Sequence, residues 1–150
     1  MTSEFEGRQF VVTGGAGGIG RACARDLLSR RANVMLVDID AARLEAAAAE
    51  LGGGIRLSTF AGDLASPAAA AAALDAAGHP IFGLIHMAGV FEPDPLDGTH
   101  AVWDRAIAAN LTNGYDLALA YSTRRDTARV GRIVFCSSGA FRRGAPGRLS

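Results

Sequence analysis

Residues 13–20 read Thr13-Gly14-Gly15-Ala16-Gly17-Gly18-Ile19-Gly20 and run directly into a helical stretch. Glycines at this spacing let a backbone turn tightly and come close to a pyrophosphate. Its charge is then stabilised by free N–H groups and by the positive end of the helix. Gly14, Gly15, Gly17, Gly18, Ile19 and Gly20 are the candidate contacts. Such a loop on its own is also what an ordinary flexible strand-to-helix turn contains; its position between a strand and a helix favours dinucleotide binding. The next apolar run ends in Asp38, 18 residues past Gly20. A carboxylate there accepts hydrogen bonds from the ribose hydroxyls of an adenosine and repels a 2′-phosphate. No basic residue occupies positions 15–19 or the positions just after Asp38, so the pattern favours NAD over NADP. The competing role for an acid here, capping the next helix, suits Asp40 better than Asp38.

These residues need a scaffold, and the rest of the chain describes one. Short β-branched or apolar runs at 10–13, 33–37, 55–60, 81–86 and 132–136 read as five buried strands, since they lack the polar alternation of half-exposed ones. Helical stretches at 18–31, 40–51, 66–77 and 100–126 separate them, with Asp40 and Ser66 as N-caps and Pro67 at the first helical position. The alanine runs at 46–49 and 68–73 belong to helices, because Ala has the best helix propensity and packs closely on a sheet. Alternation of strand and helix predicts an α/β fold: a Rossmann-type, doubly wound parallel sheet with helices on both faces, in a single domain over residues 1–150.

Composition excludes several other classes. At 150 residues, with 49% hydrophobic and 20% charged side chains and no net charge, the chain has the make-up of a globular domain rather than a nucleic-acid binder with a basic face. No secretory signal and no membrane span are read, and the expected location is the cytoplasm. Cys23 and Cys136 lack partners at metal-ligand spacing and are expected to be reduced, buried and structural. His79, in a Gly-His-Pro turn, and His86 and His100, in or near loops, are scattered, so no metal site is expected.

With these elements in place the sequence resembles the short-chain dehydrogenase/reductase family, in its single-domain branch. The segment from Thr13 to Gly20 fits that branch's glycine pattern. Asp63-Leu64 matches the place where the family contacts the adenine ring, and Ala88-Gly89 follows the fourth strand as in the family's Asn-Asn-Ala-Gly motif, with His86 and Met87 replacing the two asparagines. The stretch from Trp103 to Thr112 resembles the helix around the family's active-site asparagine, which implies that Asn110 holds a water in a proton-relay path. The run from Gly131 to Ser138 resembles the strand that delivers the catalytic serine. By that match Ser138 hydrogen-bonds the substrate carbonyl or alcohol and stabilises developing charge. Without the resemblance, Ser137 and Ser138 would simply cap a turn.

The resemblance covers the whole chain but only about the first three-fifths of the family fold. The family's acid/base is a tyrosine in a Tyr-x-x-x-Lys motif about a dozen residues past the serine, a count that here reaches Ser150. Tyr115 and Tyr121 do not replace it, since neither is followed by lysine. All 15 basic residues are arginines, and arginine holds its proton too tightly to join a relay. The chain is therefore expected to carry the cofactor site and part of the catalytic site without turnover of its own, and to leave apolar area exposed near the fifth strand. The implied activity is NAD-dependent hydride transfer on a small-molecule alcohol or carbonyl, in a homo-oligomer, dimer or tetramer, when complete. No nucleic-acid or membrane partner is expected. Two alternatives stay open: a dinucleotide-binding module or partner subunit without catalysis, and the family's sugar-nucleotide epimerase/dehydratase branch. Arg142, Arg143 and Arg148 read as a solvated cluster.

Overall fold

The computed structural model describes residues 4–78, 80–93, 99–139 and 142. Five parallel strands, β1 (Gln9–Thr13), β2 (Asn33–Asp38), β3 (Leu57–Ala61), β4 (Ile81–His86) and β5 (Arg132–Phe135), form one sheet in the order β3-β2-β1-β4-β5. Order reverses beside β1, and in sheets of this kind ligands bind outside the carboxyl ends of the strands where that reversal occurs.

The period-two geometry of a strand sorts each apolar run onto two faces. Phe10 and Val12 of β1 and Val34 and Leu36 of β2 pack with Leu27 and Leu28 of α1 (Gly18–Ser29) and Leu44 and Ala47 of α2 (Ala41–Leu51). On the other face Val11, Met35, Val37 and Leu84 pack with Ala70, Ala73 and Leu74 of α3 (Pro67–Ala76) and with Leu117 and Tyr121 of α5 (Asn113–Ser122). The alanine run of α3 is thus the small face that lets this helix lie close on the sheet. Asp40 and Ser66 do cap their helices: their side chains accept the amides of Arg43 and Ala69 at 3.0 and 3.2 Å, and Pro67 opens α3.

Four expectations are corrected. First, only the three central strands are buried, because β3 and β5 are the sheet's edges and β5 is exposed at all four residues. Cys136 follows that edge strand and is exposed, and Cys23 is only half-buried. Second, a 3₁₀ turn (Gly54–Arg56) takes up the first residues expected in β3, behind left-handed Gly52 and Gly54. Third, the last long helix is composite: α4 (Ala101–Ile107), a π-helical turn (Ala108–Thr112) and α5. It stops at Ser122 rather than 126, where the Ser122 and Thr123 hydroxyls donate back to Leu119 and Ala120 oxygens and Arg125 pairs with Ile81. Fourth, His86 is the buried last residue of β4. His79 and Arg143 and Arg148 lie outside the described residues.

Candidate functional site

The loop after β1 is shaped by backbone contact. Gly14 adopts a left-handed φ of 64°, and a Cβ on it would stand 2.7 Å from Ala88 N and from Met87 backbone atoms. A Cβ on Gly20 would overlap the Gly14 carbonyl. Glycine at these two positions is therefore a packing requirement: one brings the β1 and β4 loops together and the other brings α1 down on its own loop. The start of α1 has no side-chain cap and no acid in its first turn. Its first N–H groups are left to an anion, which the helix dipole also attracts.

Asp38 closes β2 beside this loop. One carboxylate oxygen accepts Ala16 N at 3.0 Å and the other accepts Asp40 N at 3.3 Å. The acid thus fixes the glycine loop as well as facing the cleft, a tie between residues 22 apart that sequence spacing does not reveal.

β1 and β4 are tied more deeply. The Thr13 hydroxyl lies 2.6 Å from His86 Nδ1 and accepts Ala88 N at 3.3 Å, while Met87 N donates to Thr13 O at 3.1 Å. Assigned from this network, Thr13 donates to Nδ1, so the neutral ring carries its proton on Nε2. That nitrogen is buried and has no partner among the described residues. The imidazole packs edge-on against Phe135, with ring centroids 5.9 Å apart, and burial pushes its pKa down from 6.5. His86 therefore takes over a positioning task under the loop that follows β4.

The loop Met87–Val90 is held from its other side by Asn110. The carboxamide accepts Val90 N at 2.8 Å and donates to Val90 O at 2.9 Å, a two-point clamp. A Cβ on Gly89 would press on Asn110 Oδ1 at 2.5 Å. Asn110 sits in the π-helical turn, where amide bonding skips one residue further than in an α-helix; such turns are frequent at functional sites. Both ends of its side chain are engaged with Val90, so the carboxamide clamps the loop.

Around these loops opens a cleft of about 310 Å³. Among the sequence-expected residues it brings together Gly14, Gly17, Asp38, Asp63, Leu64, Ala88 and Gly89. Gly15 and Gly20 are buried under the loop, and Gly18 and Ile19 stand exposed at the start of α1. Ser138 lies past the end of β5, exposed and outside the cleft lining. Tyr121 is structural: its buried hydroxyl donates to Phe82 O at 2.8 Å, and burial raises its pKa. Among the lining residues that sequence reading missed, two carry polar side chains. Asn113 is 9% exposed, and its Oδ1 has no partner among the described residues, an acceptor that the donor of a bound molecule would satisfy. Arg43, five residues past Asp38, reaches the same wall through the first turn of α2.

The profile of the short chain dehydrogenase family matches residues 8–149. The chain belongs to the short-chain dehydrogenase family. Among its relatives, a short chain dehydrogenase/reductase of Macrophomina phaseolina is 38% identical over 121 residues, covering 75% of this chain and 69% of that protein. D-threitol dehydrogenase of Mycolicibacterium smegmatis is 36% identical over 142 residues, covering 91% of this chain and 54% of that protein. The crystal structure of a short-chain dehydrogenase/reductase (glucose/ribitol dehydrogenase) from Brucella melitensis superposes with a TM-score of 0.88 at 34% identity, over 99% of this chain and 64% of that one. The chain thus spans between about half and two-thirds of the length of these relatives. It is an oxidoreductase-family chain with the Rossmann-type fold, and nicotinamide dinucleotides are the family's cofactors. Its cleft fits such a group, with a glycine cradle that a Cβ would fill, an uncapped helix start and an acid at the end of β2.

Proposed function

We propose that this chain is the cofactor-binding portion of an NAD-preferring alcohol dehydrogenase or carbonyl reductase. The carrying observation is the cleft at the β1/β4 reversal, where Gly14 touches the backbone of Met87 and Ala88 and Asp38 stands at the rim. The bound nicotinamide would take or give a hydride at a carbinol or carbonyl carbon. Gly14, Gly17, Gly18, Ile19 and Gly20 hold the pyrophosphate, Asp38 accepts the ribose hydroxyls, Asp63 and Leu64 flank the adenine, and Ala88 and Gly89 form the floor beyond it. Asn110 keeps that floor in place by clamping Val90, and Ser138 supplies a hydrogen bond to the substrate oxygen. A secondary alcohol or its ketone suits this reading, and the relative named D-threitol dehydrogenase supports it.

The reading includes a cytoplasmic homo-oligomer for the complete protein. Leu111, Tyr115 and Leu119, spaced four apart on one helical stretch, are each more than half exposed, which supports an apolar surface between subunits. A dinucleotide-binding chain without turnover is the second reading; the Tyr121 hydroxyl is engaged with Phe82 O and does not face the cleft as an acid/base. Separate titrations of NADH and NADPH into the 150-residue chain, followed by nicotinamide fluorescence, test the cofactor assignment. Saturable binding that is tighter for NADH is the expected result; a folded chain that binds neither would overturn it. A coding sequence that continues past Ser150 into Tyr-x-x-x-Lys supports the enzyme over the second reading.

A further inference from the structure

Among the described residues two buried side-chain atoms lack a hydrogen-bond partner, His86 Nε2 and Asn113 Oδ1, and of these two residues Asn113 lines the cleft. A carbonyl oxygen cut off from water and left without a donor is costly, so a cleft that keeps one points to a donor from outside the chain. The carboxamide is placed by packing rather than by a loop. Gly114, the next residue, is buried against two rings: a Cβ on it would stand 3.2 Å from Phe135 Cε1 and 3.4 Å from His86 Cδ2, which holds the first turn of α5 close to the end of β4. One turn further on, Leu117 is fully buried in the cluster that includes Leu64 and Ala70. Residues four apart share a helix face, so Asn113 continues that face up to the cleft, on the side where Asp63 and Leu64 also line it. Asp63 is exposed, and one of its carboxylate oxygens already accepts Ala65 N at 3.1 Å. Asn113 is the shielded acceptor on this side, where a hydrogen bond is not in competition with water.

We propose that Asn113 selects the base of the dinucleotide: its Oδ1 accepts the exocyclic amine of adenine, so that the site takes a 6-aminopurine in preference to a 6-oxopurine. In hypoxanthine a carbonyl replaces the amine, and two acceptors would face each other. A buried site that pairs with a donor rejects the analogue lacking it, because its own polar atom is then left unpaired. The inference rests on the cofactor assignment proposed above, which sets the adenine beside Asp63 and Leu64.

The experiment is a calorimetric titration of NADH, its hypoxanthine analogue (deamino-NADH) and its 3-acetylpyridine analogue, which lacks the carboxamide amine, into the unaltered chain, Asn113→Ala and Asn113→Asp, with folding checked by circular dichroism. The Asn113 Oδ1 has no partner among the described residues, so its removal by Asn113→Ala orphans no donor there. The unaltered chain is expected to bind NADH about tenfold more tightly than deamino-NADH. Asn113→Ala is expected to bring the two within about threefold, chiefly by weakening NADH, whereas Asn113→Asp, of the same shape and able to accept, keeps the discrimination. Equal affinity of the unaltered chain for NADH and deamino-NADH overturns the inference while leaving the cofactor assignment standing. A loss shared equally by both in Asn113→Ala would give the oxygen to a ribose hydroxyl, and a discrimination that Asn113→Ala abolishes only for the 3-acetylpyridine analogue would give it to the nicotinamide carboxamide; each overturns the inference as well. Failure of the folded chain to bind NADH removes the cofactor assignment itself.

Discussion

β2 and β5 are parallel strands of one sheet with similar apolar sequences, and they have opposite fates. Four of the six residues of β2 are buried, held between β1 and β3 with a helical layer on each face. β5 pairs with β4 along one edge only, and Ile133, Val134 and Phe135 stand 38%, 47% and 52% exposed. The difference teaches where the cofactor cleft gets its rigidity. Its loops leave β1, β2, β3 and β4, which have neighbours on both sides or a packed helical face, whereas Ser138 hangs from the uncovered edge. β1, β2 and β4 are buried along nearly their whole length, and β5 is exposed at every residue.

The largest effect should come from the covered half. Leu36→Ala removes a fully buried side chain between α1 and α2 and is expected to cost about 2–5 kcal/mol in urea or guanidinium unfolding. At the opposite extreme Val134→Thr on β5 should shift stability by no more than about 0.5 kcal/mol. Similar losses at the two sites would break the comparison.

Next in size is Gly20→Ala, whose methyl would overlap the Gly14 carbonyl. It should lift α1 from the loop and weaken NADH by more than about tenfold, while a methyl at Gly18, which meets nothing within 4 Å, should be tolerated sterically. Asp38→Ala removes the acceptor of Ala16 N together with the proposed ribose acceptor and should weaken NADH about tenfold by the worth of a charged hydrogen bond.

The smallest of these effects is a pH dependence from His86, which links the two regions. Burial lowers its folded-state pKa below 6.5, so the unfolded chain takes up the proton first as pH falls. The stability contributed by the neutral ring is complete above pH 6.5 and is lost as pH drops below it. Unfolding free energy measured across pH 5–8 should therefore decline on the acid side, and His86→Asn should flatten that limb.

The scaffold was largely legible because periodicity and caps are local. Pro67, Ser66 and Asp40 mark helix starts, and the ends of β1 and β4 fall where the apolar runs stop. The glycine loop and Asp38 were legible for the same reason. Arg43 was not, since it lies five residues from Asp38 in sequence and reaches the cleft only once α2 has turned it there. The Thr13–His86 contact joins residues 73 apart, and no local pattern encodes it. The π-helical turn at Asn110 has an ordinary helical composition, so only the Val90 clamp betrays it. The burial of β5 was overread because an apolar run does not state whether its strand will be central or at an edge.

The most direct test of the central claim is amide hydrogen exchange on the 150-residue chain with and without NADH. Slowed exchange confined to residues 14–20 and 87–90, together with the end of β2, is the predicted result. Binding of NADH with no added protection at the glycine loop would contradict the account.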